Sequence, residues 1–297
     1  MDVMSAGKYG GTTLGALPFC KITPPDAWLA AVTPPQPRCH NSHKGSYGDV
    51  LIIGGATGMV GAAILAASAA LHHGSGRTLL HLLSASARPL EIYAPLPDLM
   101  LPDADTARAL LAHATVVCGC GGGQDVQTWL PKVLMDAPRL VLDADALNAI
   151  AQNSDLQNLL KKRDAHGQDT ILTPHPLEAA RLLNSSTPHI QAERMQSAQA
   201  MAEHFQCTVL LKGSGSIIAS PDTIPSINPT GNARLAIGGT GDVLTGLIAA
   251  QWHSARDAHA VAQQAAWEHG ALADLWPKEQ VLTASRLAQA QIKNIKK

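Results

Sequence analysis

Aromatic side chains are scarce in this chain of 297 residues, where Phe, Tyr and Trp together make up 3%. Charged residues are few as well, at 15%, and the formal net charge is −1 at pH 7. Single-stranded nucleic acids are bound by stacking on aromatic rings, and nucleic-acid backbones are bound by basic surfaces. The composition therefore argues against a nucleic-acid partner.

Cysteine is also sparse, and its spacing contains no CxxC pair and no zinc-binding pattern. The five cysteines are Cys20, Cys39, Cys118, Cys120 and Cys207. We expect Cys118 and Cys120, which end an apolar run, to be buried thiols rather than ligands. The first residues lack a secretory-signal pattern, and the longest uncharged apolar stretch, residues 59–71, is too short to span a bilayer. We therefore expect a soluble, cytoplasmic protein without a membrane partner.

Apolar residues, by contrast, make up 46% of the chain, which is enough for a large core. Residues 1–42 hold several prolines and show little periodicity, so we predict a proline-rich N-terminal arm there. Residues 43–297 are predicted to form one compact domain, because a single α/β domain of this size is common.

Within that domain, short apolar runs alternate with helical patterns. The runs "DVLIIG", "RTLLHLL", "TVVC", "RLVL", "DTIL" and "TVLL" are typical of buried strands. Residues 60–73 and 190–205 are predicted helices, and residues 216–228 are a predicted hairpin. This alternation predicts an α/β fold with a mostly parallel sheet and helices on both faces. Ligands bind such folds at the carboxyl ends of the strands, where the glycine and polar clusters of this sequence fall.

The stretch "GGTGD" stands directly before an apolar run that is predicted to be helical. Glycines let the backbone approach a phosphate, and a helix N-terminus favours anions, so Asp242 is a candidate base at such a site. Asp is also a favoured N-cap residue, and the pattern alone leaves both interpretations open.

The stretch "LKGSGS" follows a predicted strand. Lys212 and the small residues after it would bind phosphate through the ammonium group and the backbone N–H groups. The alternative is a hairpin turn with a solvent-facing lysine.

In "TPHPLE" two prolines hold His175 in an extended segment before a helix that is predicted to start near Pro176. His175 is a candidate for facing the ligand cleft. The alternative is that the prolines only end and begin elements, and that Glu178 complements the helix dipole.

In "LDADALN" two carboxylates, Asp143 and Asp145, follow a predicted strand. Carboxylates at a strand end are candidates for binding Mg²⁺, directly or through water. Alternatively one of them caps the helix predicted to begin around Ala146, and we expect one acid in each role.

Taken together, five stretches resemble, in order and spacing, the ADP/ATP-dependent NAD(P)H-hydrate dehydratases, a family of ribokinase-like proteins. They are "HKGSYGDVLIIGGATGMVGAAILAASAALHHGSG", "VLDADALNAI", "TILTPHPLEAARLL", "VLLKGSGSIIAS" and "NPTGNARLAIGGTGDVLTG". The resemblance covers roughly residues 40–290, and the combination is more specific than any single motif. It implies a ribokinase-like fold, which agrees with the α/β prediction.

The resemblance also implies the roles of site residues. Ala62, Gly123 and His175 correspond to positions at the hydrate site, and Asp242 faces the substrate as the catalytic base rather than as a cap. The residues that correspond to the nucleotide site are Lys212, Gly213, Ser214, Gly215, Ser216 and Gly241.

The chemistry implied by the resemblance uses ADP or ATP as co-substrate, Mg²⁺, and the hydrate of NADH or NADPH. Asp242 would take the hydroxyl proton of the S-epimer, the nucleotide's terminal phosphoryl group would move to that oxygen, and elimination would restore the reduced cofactor. The resemblance further implies a homo-oligomer, of which a tetramer is one form. Because the chain is too short for an additional epimerase domain, we expect the epimerase to be a separate protein.

Two segments depart from the family pattern. Relatives often read "GPGLG" where residues 119–123 read "GCGGG", so this loop lacks a stiffening proline. Relatives commonly read "GNPGMATAGTGD", whereas this chain has Ala233, Arg234, Leu235 and Ile237 in that segment. Arg234 adds a cation close to the predicted phosphate region.

Two other functions remain as alternatives. The first is a ribokinase-like kinase of a thiazole, pyrimidine or sugar substrate, which would stop after phosphoryl transfer. The second is a regulator that binds ADP or ATP without turnover. The combination of "LDADALN" with "TPHPLE" favours the dehydratase over the kinase.

Overall fold

A computed structural model describes residues 40–84, 95–252 and 257–292. The predicted arm, residues 1–42, lies outside the described residues except for its last three. The domain begins with a short 3-10 helix, Lys44–Tyr47, in which the Nδ1 atom of His43 accepts a hydrogen bond from the N–H of Gly45. This helix leads into the amino end of the first strand, so the basic "HKGSYG" stretch lies at the edge of the sheet away from the expected ligand site.

The strands of the described residues form one sheet. They are β1 (Asp49–Gly54), β2 (Arg77–Leu82), β3 (Thr115–Cys118), β4 (Arg139–Leu142), β5 (Asp169–Leu172), β6 (Thr208–Leu211), β7 (Ile217–Ala219) and β8 (Ser226–Ile227). Their order in the sheet is β2-β1-β3-β4-β5-β6-β7-β8. Neighbours from β2 to β6 are parallel, and β7 is antiparallel to both β6 and β8. The predicted parallel sheet and the predicted hairpin are confirmed.

Helices cover both faces of this sheet. They are α1 (Val60–His72), α2 (Ala104–Leu110), α3 (Leu130–Asp136), α4 (Ala144–Ala151), α5 (Ser154–Lys162), α6 (Pro176–Leu182), α7 (Thr187–Ala192), α8 (Arg194–Phe205), α9 (Thr240–Gln251), α10 (Ala258–Asp274) and α11 (Ala284–Gln289). Along β1, Leu51 and Ile53 belong to one buried cluster, and Val50 and Ile52 belong to another. Because side chains of a strand alternate between faces, each cluster is the core of one face. Within the described ranges, every helix is too short or too polar to cross a membrane.

The predicted helix over residues 190–205 is wrong as a single element. α7 starts earlier, where the Oγ of Ser186 accepts a hydrogen bond from the N–H of His189, and the chain leaves helical geometry at Glu193 before α8 begins. After this interruption the guanidinium of Arg194 lies in the interior and donates to the carbonyl oxygens of Leu211 and Gly215. The apolar periodicity continues across the break, which explains why the sequence pattern did not reveal it.

α1 and α9 pack backbone to backbone. A Cβ atom on Gly246 of α9 would lie 2.0 Å from the carbonyl oxygen of Ala66 in α1, so only glycine allows this approach. Val243 and Leu247 are buried beside it. Both helices start at the carboxyl edge of the sheet, and their contact therefore fixes two helix N-termini relative to each other.

Replacing Gly246 by Ala is expected to lower the melting temperature. Helix propensity alone favours Ala by about 1 kcal/mol. The added methyl group, however, overlaps the carbonyl of Ala66, and overpacking of this kind costs about 1–3 kcal/mol. The matched control is Gly61→Ala in α1, where a Cβ atom meets nothing within 4 Å. Thermal unfolding of both variants decides the point, and a melting temperature raised by Gly246→Ala would contradict the close contact.

Candidate functional site

Loops from four neighbouring strands meet the start of α9 at the carboxyl edge of the sheet. β3 leads into the glycine loop 119–123, β4 into Asp143, β5 into the segment with His175, and β6 into Lys212. The carboxylates of Asp143 and Asp242 come within 4.8 Å of each other. We expected the polar residues that follow parallel strands to meet at one edge of the sheet, and these two acids do so.

Asp242 is the third residue of α9, and the N-cap position of that helix is held by Gly239. The alternative of Asp242 as an N-cap is therefore wrong. The pKa of Asp242 is raised from 3.8 to about 6. Burial of the carboxyl group is the larger cause, and the negative charge of Asp143 is the second. A carboxylate with this pKa accepts protons more strongly than an ordinary Asp, which suits a general base that works near neutral pH.

Lys212 forms a buried ion pair with Asp143. Its Nζ lies 2.7 Å from Oδ1 of Asp143, and the two side chains are 19% and 3% exposed. Burial alone would lower the pKa of Lys212, but the charges of Asp143 and Glu178 outweigh it and raise this pKa. The loop after Lys212 joins the antiparallel strands β6 and β7, as the hairpin alternative predicted. The solvent-facing lysine of that alternative is wrong.

Asp143 and Asp145 diverge at the start of α4. Asp143 holds the N-cap position without a side-chain capping hydrogen bond, and Ala144 between the two acids has a φ of 47°. Oδ2 of Asp145 accepts a hydrogen bond of 2.8 Å from the backbone N–H of Gly123. Asp143 thus holds the predicted capping position of α4, but its side chain makes no capping hydrogen bond, because both acidic side chains bind partners outside this helix.

The carboxylates were also candidates for Mg²⁺, which takes oxygen ligands from one or two carboxylates, from phosphates and from water. Asp143 already pairs with the ammonium group of Lys212. Asp145 uses one oxygen on Gly123, and its other oxygen receives no hydrogen bond from the described residues. The residues thus fit a Mg²⁺ ion that is carried largely by phosphate oxygens, with Asp145 as the better protein ligand of the two.

His175 is the N-cap residue of α6, which begins at Pro176 as predicted. Its Nδ1 accepts hydrogen bonds from the N–H groups of Leu177 and Glu178, and Oε2 of Glu178 accepts one from the N–H of His175. Since Nδ1 is an acceptor, Nε2 carries the proton and faces Oε1 of Glu178 at 3.1 Å. The imidazole is half-exposed, and its predicted contact with the hydrate stays a prediction.

Glu178 is a residue whose role the sequence interpretation understated. Its side chain is buried. Burial alone would raise the pKa of Glu178, but the hydrogen bonds from His175 and the charge of Lys212 outweigh it and lower this pKa. Glu178 therefore acts as a permanent negative charge beside Lys212 as well as part of a helix cap.

The glycine loop 119–123 is held in place although it lacks the proline of its relatives. Its backbone carbonyls accept hydrogen bonds of 3.0 and 2.7 Å from the N–H groups of Gly55 and Ala56. A Cβ atom on Gly121 would lie 3.0 Å from the Cβ of Ala62, so the predicted hydrate-site residue Ala62 packs directly against the loop. Backbone hydrogen bonds and close packing therefore hold this loop in place without a proline.

The predicted nucleotide residues fall in the β6–β7 turn and in the first turn of α9. The turn, residues 212–216, is braced where Oγ of Ser216 donates to the carbonyl of Gly213. A Cβ atom on Gly241 would lie 3.3 Å from Nζ of Lys212, so the two segments meet at these residues. Arg234 instead donates to the carbonyl oxygen of Trp276 at 2.8 Å, and its guanidinium is therefore partly engaged by the protein itself.

Cys120 was interpreted only as a core thiol, and it is indeed fully buried. Its Sγ also lies within 4.8 Å of the carboxylates of Asp143 and Asp242, and 3.3 Å from Oγ1 of Thr245. Its place inside the glycine loop was the available sequence signal. His269, which contacts the first turn of α9, had no such signal because it stands in a largely apolar helix.

The sheet topology, the helices on both faces and the candidate phosphate-binding edge define a ribokinase-like α/β protein. A ribokinase-like superfamily protein from Enterococcus faecalis shares this fold, with a TM-score of 0.73 over 87% of this chain and 90% of that one at 22% identity. The chain belongs to the NAD(P)H-hydrate dehydratase family, whose sequence model matches residues 50–296.

Individual relatives agree with this assignment. The chain is 39% identical to an ADP-dependent (S)-NAD(P)H-hydrate dehydratase of Neisseria meningitidis, over 84% of each protein. It is 32% identical to the ADP/ATP-dependent NAD(P)H-hydrate dehydratase of Bacillus subtilis that was co-crystallised with ATP and Mg²⁺, with a TM-score of 0.70 over 85% of this chain and 90% of that one. It is also 39% identical to a bifunctional NAD(P)H-hydrate repair enzyme of Coxiella burnetii over 71% of this chain, but it spans only 42% of that protein.

Replacing Asp242 by Asn is expected to stabilise the fold at pH 7.5. The pKa of Asp242 is raised from 3.8 to about 6 on folding, so its ionised form destabilises the fold by about 3 kcal/mol above pH 6. The penalty falls as the pH drops below about 6, is small at pH 4, and is absent well below the unfolded pKa of 3.8, where the carboxyl group is protonated in both states. Urea unfolding at pH 7.5 and at pH 4 measures the difference.

The control with the opposite sign is Glu178→Gln, because the pKa of Glu178 is lowered on folding. Its stabilisation is present above the unfolded pKa and is lost as the pH falls through the folded pKa, so this variant is expected to be less stable at pH 7.5. Equal stability of Asp242→Asn and the unmodified protein at pH 7.5 would contradict a buried, like-charged environment for Asp242.

Proposed function

We propose that the chain dehydrates the S-epimer of NADH or NADPH hydrate to the reduced cofactor, at the expense of ADP or ATP. The relatives named above as ADP-dependent and ADP/ATP-dependent dehydratases support this activity over the small-molecule kinase. The observation that carries the proposal is the carboxylate of Asp242, whose pKa is raised to about 6 in the first turn of α9. The reaction belongs to metabolite repair.

Asp242 is the base of this mechanism. It takes the proton of the ring hydroxyl while the hydroxyl oxygen attacks the terminal phosphoryl group of the nucleotide. ADP is thereby converted to AMP, or ATP to ADP. The ring nitrogen then pushes out the phosphorylated oxygen as inorganic phosphate, and the C–O bond breaks. The resulting iminium ion then loses a proton from the neighbouring ring carbon to solvent, which forms the C=C double bond and restores the reduced nicotinamide. Asp242 is regenerated as a base when it releases the hydroxyl proton to solvent.

The protein groups around Asp242 stabilise the charge of the transferring group. The N-terminus of α9 carries a positive partial charge, and the turn with Lys212, Gly213, Ser214, Gly215 and Ser216 offers backbone N–H groups to the phosphates. Gly241, in the first turn of α9, meets this turn at Lys212. Ala62 and Gly123 form the hydrate side, and His175 lies at its edge.

Mg²⁺ would be held by Asp145 together with nucleotide oxygens, and it would supply charge neutralisation on the phosphates. Lys212 keeps Asp143 neutralised on the other side. Because Asp143 pairs with Lys212 and Asp145 would bind Mg²⁺, Asp242 is left to accept the proton.

The proposed partners follow from the same relatives. The bifunctional repair enzyme of Coxiella burnetii extends far beyond the part that this chain matches. We also propose a homo-oligomer, with a tetramer as one form, that acts in the cytoplasm on a soluble substrate.

The first test is recovery of absorbance at the reduced-nicotinamide band. Purified protein is mixed with NADH hydrate, Mg²⁺ and either ADP or ATP. Recovery that depends on the nucleotide, and that stops before all hydrate is consumed, marks an epimer-specific dehydratase. Asp242→Asn is expected to lower kcat by about 10²–10⁴-fold. In the unmodified protein kcat/KM is expected to fall as the pH drops through about 6, since Asp242 becomes protonated.

The matched control is Asp136→Asn, which removes an acid that pairs with Lys132 on the outside of α3 and leaves the site unchanged. Full activity is expected for this variant. Accumulation of a phosphorylated substrate would establish the kinase instead. Nucleotide binding without turnover would establish the regulator.

A further inference from the structure

Helix α10 binds residues 228–232, which belong to the segment that leads into α9, the helix that carries Asp242. The Nδ2 of Asn228 donates to the carbonyl of Ala266 at 3.0 Å, and Oγ1 of Thr230 donates to that of Trp267 at 2.8 Å. Two turns further along α10, the carboxylate of Asp274 accepts hydrogen bonds of 2.8 Å from the N–H of Gly231 and from the side-chain amide of Asn232. The whole segment therefore docks on one helix.

His269 of α10 contacts the first turn of α9, close in sequence to Asp242. Its Nε2 lies 3.0 Å from the backbone carbonyl oxygen of Thr240, the first residue of α9. A carbonyl oxygen only accepts hydrogen bonds, so Nε2 carries the proton and the tautomer of the ring is fixed. His269 is buried, and this burial lowers its pKa to about 4, so the ring is a neutral donor throughout the working pH range.

Thr240 is fastened on its other side as well. Its hydroxyl Oγ1 lies 2.9 Å from the carbonyl oxygen of Leu235 and 3.1 Å from that of Ile237. The backbone carbonyl of Thr240 is thus bound by His269, and its side-chain hydroxyl is bound by carbonyl groups that precede α9. Asp242 follows two residues later, and the start of α9 therefore has little freedom to shift.

We propose that His269 is a positioning residue for Asp242. It touches neither substrate nor nucleotide, and it acts through the hydrogen bond to Thr240, which fixes where the first turn of α9 presents the carboxylate. A misplacement of a reacting group by about 1 Å is enough to cost a large part of a catalytic rate. The inference rests on the proposed function only for its kinetic readout.

The test compares His269→Gln with His269→Asn. The side-chain amide of Gln reaches the place of the imidazole Nε2–H and can still donate to Thr240, whereas the shorter Asn cannot. We expect kcat to fall roughly tenfold in His269→Asn, with the KM values for hydrate and nucleotide unchanged. We expect His269→Gln to recover most of the rate. Hydrogen exchange of the first-turn amides of α9 is measured in parallel and should be faster only in the Asn variant.

The matched control is His259→Gln on the same helix. The Nδ1 of His259 lies 2.8 Å from Oγ of Ser220, at the other end of α10 and away from the site. This variant is expected to lower the melting temperature without changing kcat, which separates loss of stability from loss of position.

Three outcomes overturn the inference. They are equal kcat and equal exchange in both His269 variants and the unmodified protein, equal losses in the Gln and Asn variants, and a kcat loss in His259→Gln as large as that in His269→Asn. If the unmodified protein does not turn over the hydrate, the proposed function fails, and the exchange measurement alone then decides whether His269 fixes the start of α9.

Discussion

The ion pair between Lys212 and Asp143 is the interaction on which the site depends. It joins the ends of β4 and β6, which are separated by β5 in the sheet, and it places one positive charge among several acids. Breaking such a buried pair by removing one partner costs about 3–5 kcal/mol, because the other charge is left without compensation. With the pair intact, Asp143 and Asp242 can lie side by side in a partly buried edge. Without it, the negative charge of Asp143 would lie buried without its positive partner.

Three side chains near this pair have protonation states that are set by burial and by neighbouring charges. Asp242, buried beside a like charge, has a pKa of about 6 and exchanges its proton near neutrality. Glu178, held by hydrogen bonds and by Lys212, stays ionised. His269, buried behind α9, stays neutral with a pKa of about 4. One acid is thus free to titrate while its neighbours are fixed, which is the usual way in which a site separates its base from its supporting charges.

The strands and the edge of the sheet where the polar residues meet could be predicted because both follow from local pattern. Apolar runs between helical segments specify a parallel sheet, and a parallel sheet puts the residues after its strands at one edge. The partners of those residues could not be predicted, since Lys212 and Asp143 are distant in sequence. Asp242 was ambiguous because a carboxylate after glycine looks the same as a cap or as a base. The break at Glu193 was hidden because apolar side chains continue on both sides of it.

The contact between Gly246 and Ala66 has a mechanical consequence for the site. Asp242 stands one helical turn before Gly246, and Ala62 stands one turn before Ala66, so the crossing point of the two helices lies just below the proposed base and the proposed hydrate-site residue. The crossing acts as a pivot with a short lever arm. With an arm of about 5.4 Å, a tilt of about 3° between the helices moves either residue by only about 0.3 Å, well under the displacement of about 1 Å that costs catalytic rate. Distortions elsewhere in the domain therefore reach the reacting groups strongly attenuated.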